Sequence, residues 1–268
     1  MEYAIQERLF KGDHEERLIS VLRRFGFPVF FFRHIPFTED LIWIKKPEDS
    51  SSPYILGDAP STTNVMGFGS VSFSHFAKNK GWNPGSFYNE NHDYTVYSKY
   101  WKDNLLNWDS KIQKLTDDVE LDFFFARPTG DTKLFKGELY GKDIWNVAVN
   151  HAIVNGADPN SLVQISSPKN ILQEVRCFVV NKRVITASYY KIGNRIVYQK
   201  CNDDDILYFA QDMINEFNVA PGFVIDIGRT DNGLKVVEVN CLNCSGFYAI
   251  DEFKLVEALE INFSNRNL

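Results

Sequence analysis

Residues 222 to 241 read GFVIDIGRTDNGLKVVEVNC, two apolar runs joined by Asp-Asn-Gly, which is a strong short-range signal for an antiparallel hairpin. Val224, Ile225, Ile227, Val236, Val237 and Val239 flank Asp226 and Glu238 on both faces, as in a strand covered on both sides, where an unpaired acid is costly. Taking Asp231, Asn232 and Gly233 as the loop pairs Thr230 with Leu234 and sets Asp226 opposite Glu238. Like charges in that position destabilise a sheet by up to ~1 kcal/mol unless a cation lies between them. Asn240 follows Glu238 by two residues and shares its face. Asp226, Glu238 and Asn240 thus make a hard, all-oxygen set suited to magnesium, which keeps waters and phosphate oxygens as its other ligands. A magnesium nucleotide is the natural occupant; the plainer alternative is a solvated face on an edge hairpin.

Such an occupant needs cations for its phosphates. The stretch ARPTGDTKLFKG supplies Arg127, Lys133 and Lys136 across a strand, a glycine turn and a second strand. Arg offers a fork to phosphate oxygens and Lys a point charge. Taken alone, the segment reads equally as a solvated turn. LQEVRCFVV adds Glu174 and Arg176 on one face of a strand, either site residues or a structural ion pair.

The surrounding pattern is α+β. A helix over 12 to 26, strands at PVFFFRHI and LIWIKK, and a strand, glycine turn and helix in NVMGFGSVSF give residues 1 to 90 the look of a small α/β lobe. Residues 94 to 118 read as mainly helical. Strands follow at Leu121 to Ala126, SLVQISS and EVRCFVVNKRVITASYY, with helices over Asp143 to Val154 and DDDILYFAQDMINEF. At 268 residues and 44% hydrophobic content the chain can fill a real core. A net charge of −6 carries no basic footprint, so nucleic acid is not the default partner. The N-terminus is charged from Glu2 and no window is long and apolar enough to span a bilayer, so a cytoplasmic, non-membrane protein is expected.

The four cysteines fit free thiols in a reducing compartment. Cys241 and Cys244 form a C-x-x-C without a second pair or a His pair, which favours two small buried thiols over zinc or redox chemistry. The five histidines are scattered, and no nucleophile-elbow, zinc-protease or Walker A pattern occurs.

In order and spacing, VQISS, EVRCFVV, a helix and GFVIDIGRTDNGLKVVEVNCLNCSG resemble the C-terminal half of an ATP-grasp protein. FARPTGDTKLFKG is similar to an element of the phage-associated ATP-grasp clade named for two conserved arginines and a lysine, which would be Arg127, Arg176 and Lys133. The resemblance implies two α+β lobes gripping ATP plus a small N-terminal α/β lobe, divided as 1–90, 91–165 (with a lid) and 166–268. It implies magnesium on Asp226, Glu238 and Asn240, and phosphate contacts from Lys133, Arg127 and Lys136. Arg176 would touch the transferred phosphate or the substrate carboxylate, with Glu174 as its support. Val163, Gln164 and Ile165 would run along the adenine.

The implied chemistry is activation of a carboxylate to an acylphosphate by Mg-ATP, then attack by an amine or thiol, with small molecules or peptides as substrates. Phosphoryl transfer to a hydroxyl and a non-catalytic nucleotide-binding module are the alternatives. EVNCLNCSG departs from relatives that carry Pro or Gly soon after the Asn, so the loop beyond Asn240 has its own shape.

Overall fold

The apolar runs of the chain are gathered into three sheets, each built from residues near one another in sequence. The structure, a computed structural model, describes residues 1–10, 12–35, 40–45, 55–130 and 134–264. The first sheet contains β1 (Glu2–Gln6), β2 (Val29–His34), β3 (Leu41–Lys45), β4 (Ile55–Leu56) and β5 (Val65–Phe68) in the order β4-β3-β2-β1-β5. β1 is parallel to both β2 and β5, and α1 (His14–Arg24) makes the crossover between β1 and β2. Leu18, Ile19 and Leu22 bury one face of α1, and Gly26, at φ +73°, turns the chain away. β5 leads through a glycine turn into α2 (Val71–Asn79).

The stretch expected to be mainly helical is helical only in α3 (Tyr94–Trp101) and a following 3₁₀ turn. Leu105 instead bridges Val236, and the Leu106 N–H donates to the Val236 carbonyl at 2.8 Å. Two adjacent leucines are thus spent covering the end of another sheet. The second sheet follows: β6 (Lys111–Lys114), β7 (Phe123–Pro128), β8 (Glu138–Gly141), α4 (Lys142–Val154) and β9 (Leu162–Ser166), its strands ordered β6-β9-β7-β8. Phe124, Tyr140, Trp145, Val163 and Ile165 give it a separate core.

The third sheet has β10 (Gln173–Val180), β11 (Arg183–Ile192), β12 (Arg195–Lys200), β13 (Gly222–Thr230) and β14 (Gly233–Cys241), ordered β12-β11-β10-β13-β14 and wholly antiparallel. α5 (Asp204–Glu216) and α6 (Glu252–Phe263) pack against it. Its core is continuous with that of the first sheet, Tyr3 and Phe68 joining Phe178, Phe223 and Phe247 in one apolar cluster. The second sheet is therefore a body with its own core, facing a unit made of the other two.

The Asp-Asn-Gly hairpin forms, with a correction to its register. Thr230 pairs with Gly233, not with Leu234, around a two-residue turn at Asp231 and Asn232. The Thr230 hydroxyl accepts from the Asn232 N–H at 3.1 Å and donates to the Gly233 carbonyl at 2.9 Å, and Gly233 supplies φ +90°. The one-residue difference is absorbed at Val237, a bulge opposite Ile227, and Asp226 lies opposite Glu238.

Candidate nucleotide site

Cross-strand pairing puts one row of side chains across the third sheet: Lys200, Ser188, Arg176, Asp226 and Glu238. Residues paired directly in antiparallel strands project to the same side, so these five share a face. Asn240 joins them from two positions further along β14.

Arg176 grips Asp226 with both prongs, Nε donating to Oδ1 at 2.9 Å and Nη2 to Oδ2 at 2.8 Å. Asp226 is fully buried. Burial pushes its carboxyl up to about 6 even though Arg176 opposes the shift, and the neighbouring Glu238 charge adds to it. Burial also disfavours the Arg176 charge, but the Asp226 carboxylate outweighs it and holds the guanidinium ionised. The rings of Tyr248 and Tyr190 cover that guanidinium at 5.0 and 5.6 Å.

Glu238 is met from the opposite body. Arg127 Nη1, on β7 of the second sheet, donates to Glu238 Oε2 at 2.5 Å. Burial would raise the Glu238 carboxyl, but Arg127, the Asn240 amide and Arg176 together bring it below its usual range. Asn240 Nδ2 lies 3.0 Å from Glu238 Oε1 and 3.3 Å from Asp226 Oδ2. The pair of facing acids is thus neutralised by two arginines, one from each body.

Two adjoining pockets meet at Phe125, Arg127, Gly137 and Glu238. One, of about 360 Å³, has an apolar wall of Leu106, Phe125, Leu139, Ile171 and Val237, with Lys169, Glu174 and Lys191 at its polar side. The bulge at β14 brings Val237 there. Gly228 makes room for it, since a Cβ at that position would come within 2.9 Å of Val237 and 3.3 Å of Ile171. The other pocket, of about 270 Å³, is polar and runs past Arg127, Gly130, Lys136, Glu238 and Asn240. An apolar slot opening into a cation- and carboxylate-lined one suits a flat base carrying phosphates.

Of the residues singled out in the sequence, Arg127, Arg176, Asp226, Glu238 and Asn240 come together, and Lys136 lines the polar pocket while pairing with Glu138. Lys133 lies outside the described residues. Glu174 does not support Arg176; its carboxylate takes the Tyr190 hydroxyl at 2.6 Å and Lys191 at 2.9 Å, because Asp226 already occupies the guanidinium fork. Gln164 and Ile165 sit mid-strand with partners on both sides, so the ladder consumes their backbone groups. The Gln164 amide donates to Ser110 at 2.8 Å. The chain leaves that ladder only after Ser166, and Lys169 and Ile171 of the following segment line the apolar pocket. Sequence reasoning also missed Tyr190 and Tyr248, whose positions depend on bulges and a loop that no periodicity announces. Cys241 is buried and Cys244 half-buried, both as free thiols.

The donor set fits a magnesium nucleotide. Among the described residues no cluster of three or more His, Cys, Asp or Glu could hold a metal ion. A divalent ion would therefore rest on Glu238, the Asn240 carbonyl once its amide is turned, a lone pair of Asp226, and phosphate oxygens.

Two facing antiparallel bodies gripping such a cleft define the ATP-grasp class. Residues 49–259 match an ATP-grasp domain family, the third family of the clade whose name abbreviates two arginines and a lysine, and the chain belongs to it. A tetrahydromethanopterin:alpha-L-glutamate ligase from Methanococcus maripaludis is 30% identical over 107 residues, covering 35% of each chain. The chain thus spans about a third of that curated relative. Among solved structures, the D-cycloserine synthetase DcsG superposes with a TM-score of 0.60 at 11% identity, covering 97% of this chain and 98% of the other. The ATP-grasp ligase PsnB, complexed with minimal precursor, Mg and ADP, gives 0.55 at 12% identity over 97% and 96%. At these identities the two structures share the fold.

Proposed function

We propose that this chain is an ATP-dependent ligase that joins a carboxylate to an amine or thiol. The observation that carries the reading is the contact of Arg127 with Glu238, which brings the two bodies together at the facing carboxylates beside a slot of nucleotide character. Magnesium on Asp226, Glu238 and Asn240 would screen the phosphates. Arg127 and Lys136 would hold phosphate oxygens from the second body, joined by Lys133. Arg176, fixed by Asp226 and roofed by tyrosines, would meet the phosphate in transfer or the substrate carboxylate.

Such preorganised cations act where charge develops during phosphoryl transfer, and no protein nucleophile is required. The substrate carboxylate takes the γ-phosphoryl group to give an acylphosphate and ADP. Attack by the amine then forms the amide and releases phosphate, with one proton lost from the nitrogen. The separate core of the second sheet supports 91–165 as the moving, lid-bearing lobe between a 1–90 lobe and a 166–268 lobe. The free thiols support a reducing, cytoplasmic setting; the phage association is carried by the clade resemblance alone.

The test is ADP release with Mg-ATP across a panel of amino acids and short peptides. Release that requires both a carboxylate and an amine supports the ligase. A stable phosphorylated hydroxyl product would replace it with a kinase, and nucleotide binding without turnover on any pair would leave a binding module.

A further inference from the structure

The two edges of the third sheet are treated differently. Leu105 and Leu106 cover β14. β12 pairs with β11 alone and is exposed over nearly its whole length, Ile196 at 74% and Tyr198 at 55%. The Cys201 N–H donates to the Ala187 carbonyl at 3.0 Å and the Ser188 hydroxyl to the Gln199 carbonyl at 3.2 Å. Gln199 and Cys201 therefore face β11, and alternation turns the Lys200 backbone to the open side.

Exposed edges are commonly blunted with cations and bulges, and β12 has both: Arg195, Lys200, and an irregular register between Gln199 and Ile196. Edge protection does not account for what begins at Tyr198. Its ring stacks on Tyr248 at 5.0 Å, Tyr248 stacks on Tyr190 at 5.1 Å, and both of these cover Arg176. Tyr248 is held at φ +52°, a left-handed conformation that costs a non-glycine residue about 1–2 kcal/mol. Arg17 of α1 donates to the Tyr248 carbonyl and pairs with Glu252 at 3.0 Å. His14, from the first turn of α1, sets its ring edge-on to both Tyr198 and Tyr248; it is more than nine-tenths buried and its Nδ1 has no partner among the described residues. A strained loop, a helix and an edge strand thus converge on an aromatic track from the sheet edge to Arg176.

The charge of this edge is also distinctive. Between Glu174 and Asp203 the chain carries Arg176, Lys182, Arg183, Lys191, Arg195 and Lys200 and no acid, in a protein of net charge −6.

We infer that β12 is a docking strand for the substrate: an extended, acidic peptide adds along its open edge, and the Tyr198–Tyr248 stack leads the reacting end to Arg176. Main-chain pairing would give affinity, while Arg195, Lys200 and the aromatic track would select acidic over basic chains. The inference rests on the ligase reading of the adjoining cleft.

The test is fluorescence anisotropy of fluorescein-labelled hexaglutamate with the full chain, beside labelled hexalysine and a ten-nucleotide oligouridylate, with Mg-ATP binding measured on the same samples. Hexaglutamate is expected to bind preferentially, and Tyr198→Ala and Arg195→Glu each to weaken it by about tenfold, the loss typical of an interface anchor, with Mg-ATP affinity unchanged. No hexaglutamate binding, equal binding by both variants, or tighter binding of hexalysine or oligouridylate overturns the inference. A wild-type chain that binds hexaglutamate in this variant-sensitive way but not Mg-ATP would uphold the docking strand and sink the ligase reading instead.

Discussion

Removing one partner of the Arg176–Asp226 pair should cost far more than removing both. In Asp226→Leu the guanidinium, only 8% exposed as a residue, loses both hydrogen bonds to a fully buried carboxylate. A buried charge stripped of its partner costs about 3–5 kcal/mol. Arg176→Met leaves the buried carboxyl alone and should cost a similar amount. The double variant Arg176→Met with Asp226→Leu removes both desolvated charges, and such replacements come out within about 1–4 kcal/mol of neutral, often on the stabilising side. At roughly 2–4 °C per kcal/mol for a chain of this size, each single variant should melt about 6–20 °C low, and the double close to the parent. Thermal melts and urea titrations of the four proteins complete the cycle. Additive losses, the double being the least stable of the four, would refute the reasoning. All three variants should also lose turnover, which separates the pair's catalytic role from its contribution to folding.

Two further outcomes follow from other buried groups. His92 is 4% exposed, and burial holds its imidazole down at about 4 from an ordinary 6.5. The unfolded chain therefore binds the proton more tightly, and stability should fall by about 3 kcal/mol as pH drops from 6.5 through 4; His92→Gln should flatten that segment of a pH series of urea titrations. The buried Asn243 amide donates to the Gly67 carbonyl at 2.6 Å and accepts from the Phe87 N–H at 2.9 Å, tying the first sheet to the loop after Asn240. Asn243→Ala leaves those backbone groups unsatisfied, at about 1–3 kcal/mol each, and should lower the urea midpoint and slow turnover together.

The sequence makes the carboxylate pair legible because acids embedded in valine-rich strands demand a partner. It makes the facing geometry legible only through two compensating differences, since the turn is one residue shorter than read and Val237 bulges by one. The bulge has no sequence signature, yet it is what lines the apolar pocket. Arg176 and Glu174 look equivalent at spacing two; only the register of β13 against β10 decides that Asp226 takes the arginine. Leu105 and Leu106 read as helix because local pattern cannot show that their use is to cover a distant strand edge. Gln164 and Ile165 read as a free hinge because the sequence does not disclose that β6 and β7 pair with the strand from both sides.

The central claim is that Glu238 and Asp226, braced by Arg127 and Arg176, hold magnesium-ATP between the two bodies. Isothermal titration of Mg-ATP, and of ATP in EDTA, into the wild-type chain and Glu238→Gln addresses it directly. The account predicts magnesium-dependent binding by the wild type and a loss of at least about tenfold, about 1.4 kcal/mol, in the variant. Unchanged affinity and unchanged magnesium dependence in Glu238→Gln would contradict it.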